Sequence, residues 1–256
     1  MTLINSAFWA KKQDYAGKFQ WLSLAQHLED TRQIAHLLWT HWLSEGQRLC
    51  IVASLNQPDE EVAANMVGFL GAIHDIGKAT PAFQIKPGFA NSPDLDAMLI
   101  EMLEDEGFSD LRSVRLANPE KSPHALAGQY LLAEYGVRED IASIVGAHHG
   151  KPVDDSSQIQ NQSAYSSNYY QVEDSHHPIH QKWKCEQRNI FEWALQISGF
   201  DSVSSLASIQ QPGQVLLSGL LIMADWIASN ETYFPLVSLH TTEIDNQQAR
   251  IENGFS

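Results

Sequence analysis

The feature that most constrains this chain is a run of apolar residues, Val62, Met66, Phe69, Leu70 and Ile73, that leads directly into the polar pair His74-Asp75. The spacing is helical. The helix is expected to begin after Pro58-Asp59, where Asp59, Glu60 and Glu61 suit the positive end of the helix dipole, and Gly77 stands ready to break it. His74 and Asp75 are therefore delivered together at a helix C-terminus. Neighbours on a regular helix diverge, and at a helix end that divergence is useful: Asp75 can offer its two oxygens to two ions while His74 reaches one. Two divalent ions about 3.5–4 Å apart could clamp an attacking water and a phosphate oxygen. Taken alone, the dipeptide fits a chance pairing or a helix cap equally well.

Helical periodicity recurs along the chain. One helix is expected over 24–42 with His27 near its first turn, and a short one over 94–106. Another starts at Ser122-Pro123, with Ser122 as cap and His124 just inside. A helix over 138–147 ends in His148-His149-Gly150, and others cover 185–197 and 214–228, the last holding Asp225 among Leu221, Ile222, Trp226 and Ile227. There is no βαβ alternation and no GxxxxGK[ST] motif, which argues against a Rossmann or P-loop fold and against a translocation motor. The expected class is all-α, a helical bundle with long irregular loops. Residues 1–235 are read as the main domain, 151–184 as a loop or small insertion within it, and 236–256 as a polar tail or the start of an interdomain linker.

A chain of 256 residues can bury a polar site without disulfides. Cys50 and Cys185 have no CxxC companion, which favours a reducing compartment and excludes a zinc-finger module. Apolar stretches stop short of membrane-spanning length, so a cytoplasmic protein with no membrane partner is expected. Sixteen Lys and Arg against 31 Asp and Glu give a net charge of −15. Such a surface does not attract nucleic acid by itself; a polynucleotide substrate would need a local basic patch, bound metal ions or a recruiting partner.

In order along the chain, His27, His74-Asp75 and Asp225 resemble the HD phosphohydrolase superfamily. With Lys78, His124 and His148-His149 added, the chain more narrowly resembles the nuclease domain of the CRISPR-associated Cas3 proteins, over about residues 20–235. The resemblance implies an HD-domain helical bundle in which His27, His74, Asp75 and Asp225 hold one metal and Asp75, His124, His148 and His149 hold a second. Asp75 and Lys78 are the implied catalytic residues, the first as bridge and the second as a mobile cation that contacts or positions the substrate. Imidazole and carboxylate donors suit Mn, Fe, Co, Ni or Zn better than Mg. The implied activity is two-metal hydrolysis of single-stranded DNA in type I CRISPR interference, type I-E included. The implied partners are a Cas3 helicase domain or subunit and the Cascade surveillance complex.

Lys86, Lys121, Lys151, Lys182, Lys184 and Arg188 are candidates for a DNA path, with Tyr169, Tyr170 or Trp183 as stacking surfaces and Ser218, Trp226 and Ser229 supporting Asp225. Two other readings stay open: an HD phosphohydrolase acting on nucleotides or cyclic nucleotides, marked by a narrow closed pocket, and an inactive metal-binding regulatory module. Each residue also has an ordinary role available, such as a hydrogen-bonded aspartate in an apolar helix for Asp225.

Overall fold

A computed structural model describes residues 4–88, 92–153, 156–239 and 247–255. The chain opens with an antiparallel hairpin of β1 (Trp9–Tyr15) and β2 (Lys18–Ser23), turned at Ala16-Gly17, both with positive φ as a tight hairpin turn of this hand requires. Ser23 then caps α1 (Leu24–Leu37), accepting a hydrogen bond from the Gln26 amide; the helix continues as a π-helical turn over Leu38–Trp42. Next come α2 (Glu45–Ala53) and α3 (Glu60–Ile73), the latter capped by Asp59 with Glu60 and Glu61 in its first turn. After α3 follow α4 (Pro81–Gln84), α5 (Pro93–Asp105), α6 (His124–Glu134) and α7 (Glu139–Gly146). The remaining helices are α8 (Ser156–Gln160), α9 (Ser166–Tyr170), α10 (Pro178–Ile197), α11 (Gln211–Ala228) and α12 (Gln247–Phe255). β3 (Val237–Ser238) pairs with β2 to complete a three-stranded sheet.

α1, α3, α5, α6, α7 and α11 follow the sequence reading and α10 starts earlier than expected, at Pro178, whereas α2 and the sheet were not foreseen; β1 lacks period-2 alternation, with Trp9 and Ala10 both buried where the pairing register shifts. α3 is the central helix. Every residue from Met66 to Ile73 is buried, so it needs partners on all sides, and it packs against α1, α2, α7, α10 and α11. Gly71 makes the α1 contact possible, since a Cβ there would lie 2.8 Å from the Arg32 Cα.

Within the stretch over 151–184, expected as a loop or small insertion, the described residues carry α8, a 3-10 turn (Asn161–Tyr165), α9 and the first turns of α10. Several of its polar residues, Gln162, Asn168 and Gln171 among them, are turned inward and hydrogen-bonded. Gln162 Oε1 accepts from Ser122 Oγ (2.9 Å) and Tyr169 Oη (2.8 Å), and Asn168 Nδ2 donates to Ser122 Oγ (3.0 Å). Ser122 is thereby engaged and does not cap α6, whose cap residue is Pro123. In the tail, α12 is packed: Arg250 Nε donates to Asp30 Oδ2 at 2.9 Å with both side chains buried, and its Nη1 reaches the Pro235 carbonyl at 2.8 Å. No helix among the described residues is long and apolar enough to cross a membrane.

Candidate metal centre

α3 ends at Ile73, and the next two residues leave the helix in different ways. His74 keeps helical dihedrals, whereas Asp75 (φ −105°, ψ 19°) turns the chain into a short 3-10 segment, Ile76–Lys78. α6 seats directly on this turn because residue 77 is glycine: a Cβ there would lie 2.0 Å from the His124 carbonyl oxygen and 2.6 Å from the Gly128 nitrogen. That close approach brings His124 beside Asp75. His27 comes from the first turn of α1, Asp225 from the last turns of α11, and His148 and His149 from just beyond the end of α7.

The seven side chains meet as two clusters. His27, His74, Asp75 and Asp225 form a fully buried set; His124, His148 and His149 form a second that reaches the surface, and within each the donor atoms lie within 4.8 Å of one another. Asp75 faces both. Its Oδ2 is 3.0 Å from His27 Nε2, 3.3 Å from His74 Nε2 and 2.7 Å from Lys78 Nζ. Its Oδ1 is 3.5 Å from His124 Nε2 and 3.4 Å from His148 Nε2. Asp225 Oδ1 lies 3.3 Å from His27 Nε2 and 3.5 Å from His74 Nε2 and accepts a hydrogen bond from Ser229 Oγ at 3.0 Å. His124 and His149 bring their Nε2 atoms within 2.7 Å.

The donor set suits a divalent cation. His74 Nδ1 lies 2.9 Å from the Gly71 carbonyl and His148 Nδ1 2.6 Å from the Val145 carbonyl. A carbonyl only accepts, so each Nδ1 carries a proton and each ring turns its Nε2 inward, the nitrogen a metal-binding histidine offers. Despite the short separations, His27 Nε2, His74 Nε2, His148 Nε2 and Asp75 Oδ1 have no hydrogen bond of acceptable geometry and are buried. Buried polar atoms left this way are costly, and coordination would satisfy all of them together.

The charges are strongly coupled. Burial disfavours a proton on His74, but Asp75 and Asp225 outweigh it and push the imidazole up to about 10. Burial likewise opposes the Asp75 carboxylate, yet the Lys78 ammonium and then His74 hold it well below the usual carboxylate range; the close approach of His27 and then His74 does the same for Asp225. His124 is pushed down to about 3 by burial, which Asp75 only partly opposes.

A comparison of sequences decides the family: the model of the Cas3 HD domain matches residues 9–234. The chain belongs to the Cas3 HD-domain family. Over its full length this Cas3 HD chain is 56% identical to the CRISPR-associated nuclease/helicase Cas3 of Streptococcus thermophilus, of which it spans 28%. Its fold is that of a CRISPR-associated protein of known crystal structure (TM-score 0.70, 24% identity, covering 97% of this chain and 26% of that one). It is also that of the Thermus thermophilus Cas3 HD domain crystallised in the presence of Ni2+ (TM-score 0.57, 21% identity, covering 97% and 85%). The T. fusca Cas3 structure is matched over 91% of this chain and 23% of its own length at TM-score 0.63 and 23% identity.

Not every residue singled out in the sequence lies where expected. Lys78, anticipated as a mobile cation, is 8% exposed and fixed on Asp75. Tyr169 and Trp183 are fully buried and cannot stack on DNA, and Tyr170 stacks on His180. Lys182 and Arg188 are engaged along α10 by Glu186 and Glu192. Trp226 is 68% exposed, on a face with Met223, Ile227 and Asn230 that points away from Asp225 around α11, so it is neither core nor part of this centre. One nearby residue was missed. Lys11 on β1 is half-buried and brought down to about 8 by burial and then by Lys78, against the pull of Asp225, Glu231 and Asp75. A lysine in an irregular N-terminal strand gave no periodic signal to find it by.

Proposed function

We propose that this chain is a metal-dependent phosphodiesterase that cuts single-stranded DNA in type I CRISPR interference. The observation that carries the reading is the placement of Asp75, with one carboxylate oxygen toward the buried cluster and the other toward the surface cluster. His27, His74, Asp75 and Asp225 would hold one divalent ion, and Asp75, His124, His148 and His149 a second; the nitrogen-rich donor set favours a transition metal over Mg. Bound there, the ions would supply Lewis acidity and a water acidified toward neutral pH.

The chain's own residues do the rest. The Gly71 and Val145 carbonyls hold the Nδ1 sides of His74 and His148, so both rings are oriented with Nε2 inward before any ligand arrives. Lys78 compensates the charge of Asp75 and orients the carboxylate between the clusters. The surface cluster, with His149 exposed, is the side from which a phosphodiester can approach. A net charge of −15 leaves recruitment to others; the nuclease/helicase relative makes a helicase segment one natural partner, and the Cascade complex is the other.

The test is metal analysis followed by cleavage of circular single-stranded DNA with Mn, Co, Ni, Fe or Mg, for wild type and Asp75→Ala. Metal-dependent cleavage that Asp75→Ala abolishes is the expected result. A folded, metal-loaded wild type that leaves the DNA intact with every ion would defeat the reading.

A further inference from the structure

Beside the surface cluster lies an apolar recess of about 500 Å³, walled by Phe83, Ile85, Pro87, Pro119, Pro123 and His124. His124 belongs to both, so the recess borders the surface cluster. Phe83 forms the wall nearest the chemistry: its ring is 5.5 Å from the His124 ring and 5.5 Å from Lys78 Nζ. It is braced from behind by Trp9, ring centroids 4.4 Å apart. Gln84, the next residue, locks that brace by donating to the Trp9 and Lys78 carbonyls (3.0 and 2.8 Å) and accepting from the Trp9 amide (3.2 Å). A partly exposed aromatic held this firmly is a preformed stacking surface, at low entropic cost to its ligand.

We propose that this recess receives a nucleobase of the DNA strand whose backbone crosses the metal centre, with Phe83 as the stacking platform. The inference rests on the nuclease reading and adds to it a base subsite. The chemistry of the walls selects the base over the backbone. Phosphate is poorly matched to three prolines, an isoleucine and the Glu120 carboxylate, whereas a base is a flat apolar body whose exocyclic amine can donate to Glu120. Lys86 contributes to the lining and Lys121 is exposed in the turn that supplies Pro119 and Glu120, so positive charge flanks the recess where sugar-phosphate would remain outside. The volume lies within the range of small-molecule sites and takes one nucleoside without rearrangement of the surface cluster.

The test compares wild type with Phe83→Leu, which keeps an apolar contact on Trp9, and Pro87→Trp, which fills the recess from an exposed position. Binding of a labelled single-stranded oligonucleotide is followed by fluorescence anisotropy in EDTA, and hydrolysis of bis(p-nitrophenyl) phosphate, which carries no base, is followed with Mn. Both variants are expected to bind the oligonucleotide about tenfold more weakly, the scale of one base–aromatic stack. A single abasic site, moved along the strand, should weaken wild-type binding similarly at one position and weaken the variants no further. Unchanged affinity in both variants, or an abasic penalty equal in wild type and variants, would overturn the proposal and leave the recess to an apolar side chain of a protein partner. If wild type fails to hydrolyse the small diester, the nuclease reading fails separately, while the binding arms still decide the subsite.

Discussion

Replacing Gly77 by Ala should dismantle half of the metal centre while leaving the fold in place. The added Cβ would stand 2.0 Å from the His124 carbonyl oxygen and 2.6 Å from the Gly128 nitrogen. Both are backbone atoms of α6, so no side chain can swing aside; the helix must retreat by ~1 Å or more, and such overpacking costs about 1–3 kcal/mol. At about 2–4 °C per kcal/mol for a chain of this size, the melting temperature should fall by a few degrees up to about 12 °C. His124 heads α6 and moves with it, away from Asp75 Oδ1 at 3.5 Å and His149 Nε2 at 2.7 Å. His27, His74 and Asp225 belong to other helices and stay. Under the proposed two-metal reading, metal content after dialysis should drop from two ions per chain to one, and DNA cleavage should fall about 100-fold, the usual cost of a 1 Å misplacement at a reacting centre. His124→Ala should reproduce the metal loss without the clash. A Gly77→Ala protein that keeps two ions and cleaves within threefold of wild type would refute the reasoning.

Other outcomes follow from the same geometry. Arg250→Ala leaves Asp30 charged and buried, so chemical denaturation should show about 3–5 kcal/mol lost; a loss below 1 kcal/mol would show that α12 is not clamped to α1. His124 sits at about 3 when folded against an ordinary 6.5, so it binds its proton more readily unfolded. Its contribution to the metal-free protein is therefore complete above pH 6.5 and declines as pH falls toward 3, and His124→Gln should flatten that part of the stability–pH curve; an unaltered curve would contradict the burial argument. Trp226→Ser, on the far face of α11, should change stability by no more than about 0.5 kcal/mol and leave hydrolysis of bis(p-nitrophenyl) phosphate within twofold; a large loss of turnover would mean that this face communicates with the centre.

The helices that were legible showed local apolar spacing and start signals, as with Asp59 before α3, whereas the Ser122 cap expected for α6 is drawn into a nonlocal network. The donors of the centre were legible for a different reason: His27, His74-Asp75, His124, His148-His149 and Asp225 occur in the order of a known family, while nothing in their spacing shows how they converge. What escaped notice was nonlocal. Gln162, Asn168 and Gln171 look like loop residues until their partners in Ser122, Tyr169, Ser109 and Trp183 are known. Tyr169 and Trp183 appeared available for DNA for the same reason. β3 is two residues long and exists only because β2 offers an edge.

The buried cluster draws its donors from α1, the end of α3 and α11, so its members are separated by most of the chain. During synthesis a ribosome makes Asp225 long after His27 and His74, and until it does the buried cluster lacks the second of its two carboxylates. A metal centre of the proposed kind is thus tied to completion of the bundle, and metal retention would report whether α1, α3 and α11 have come together.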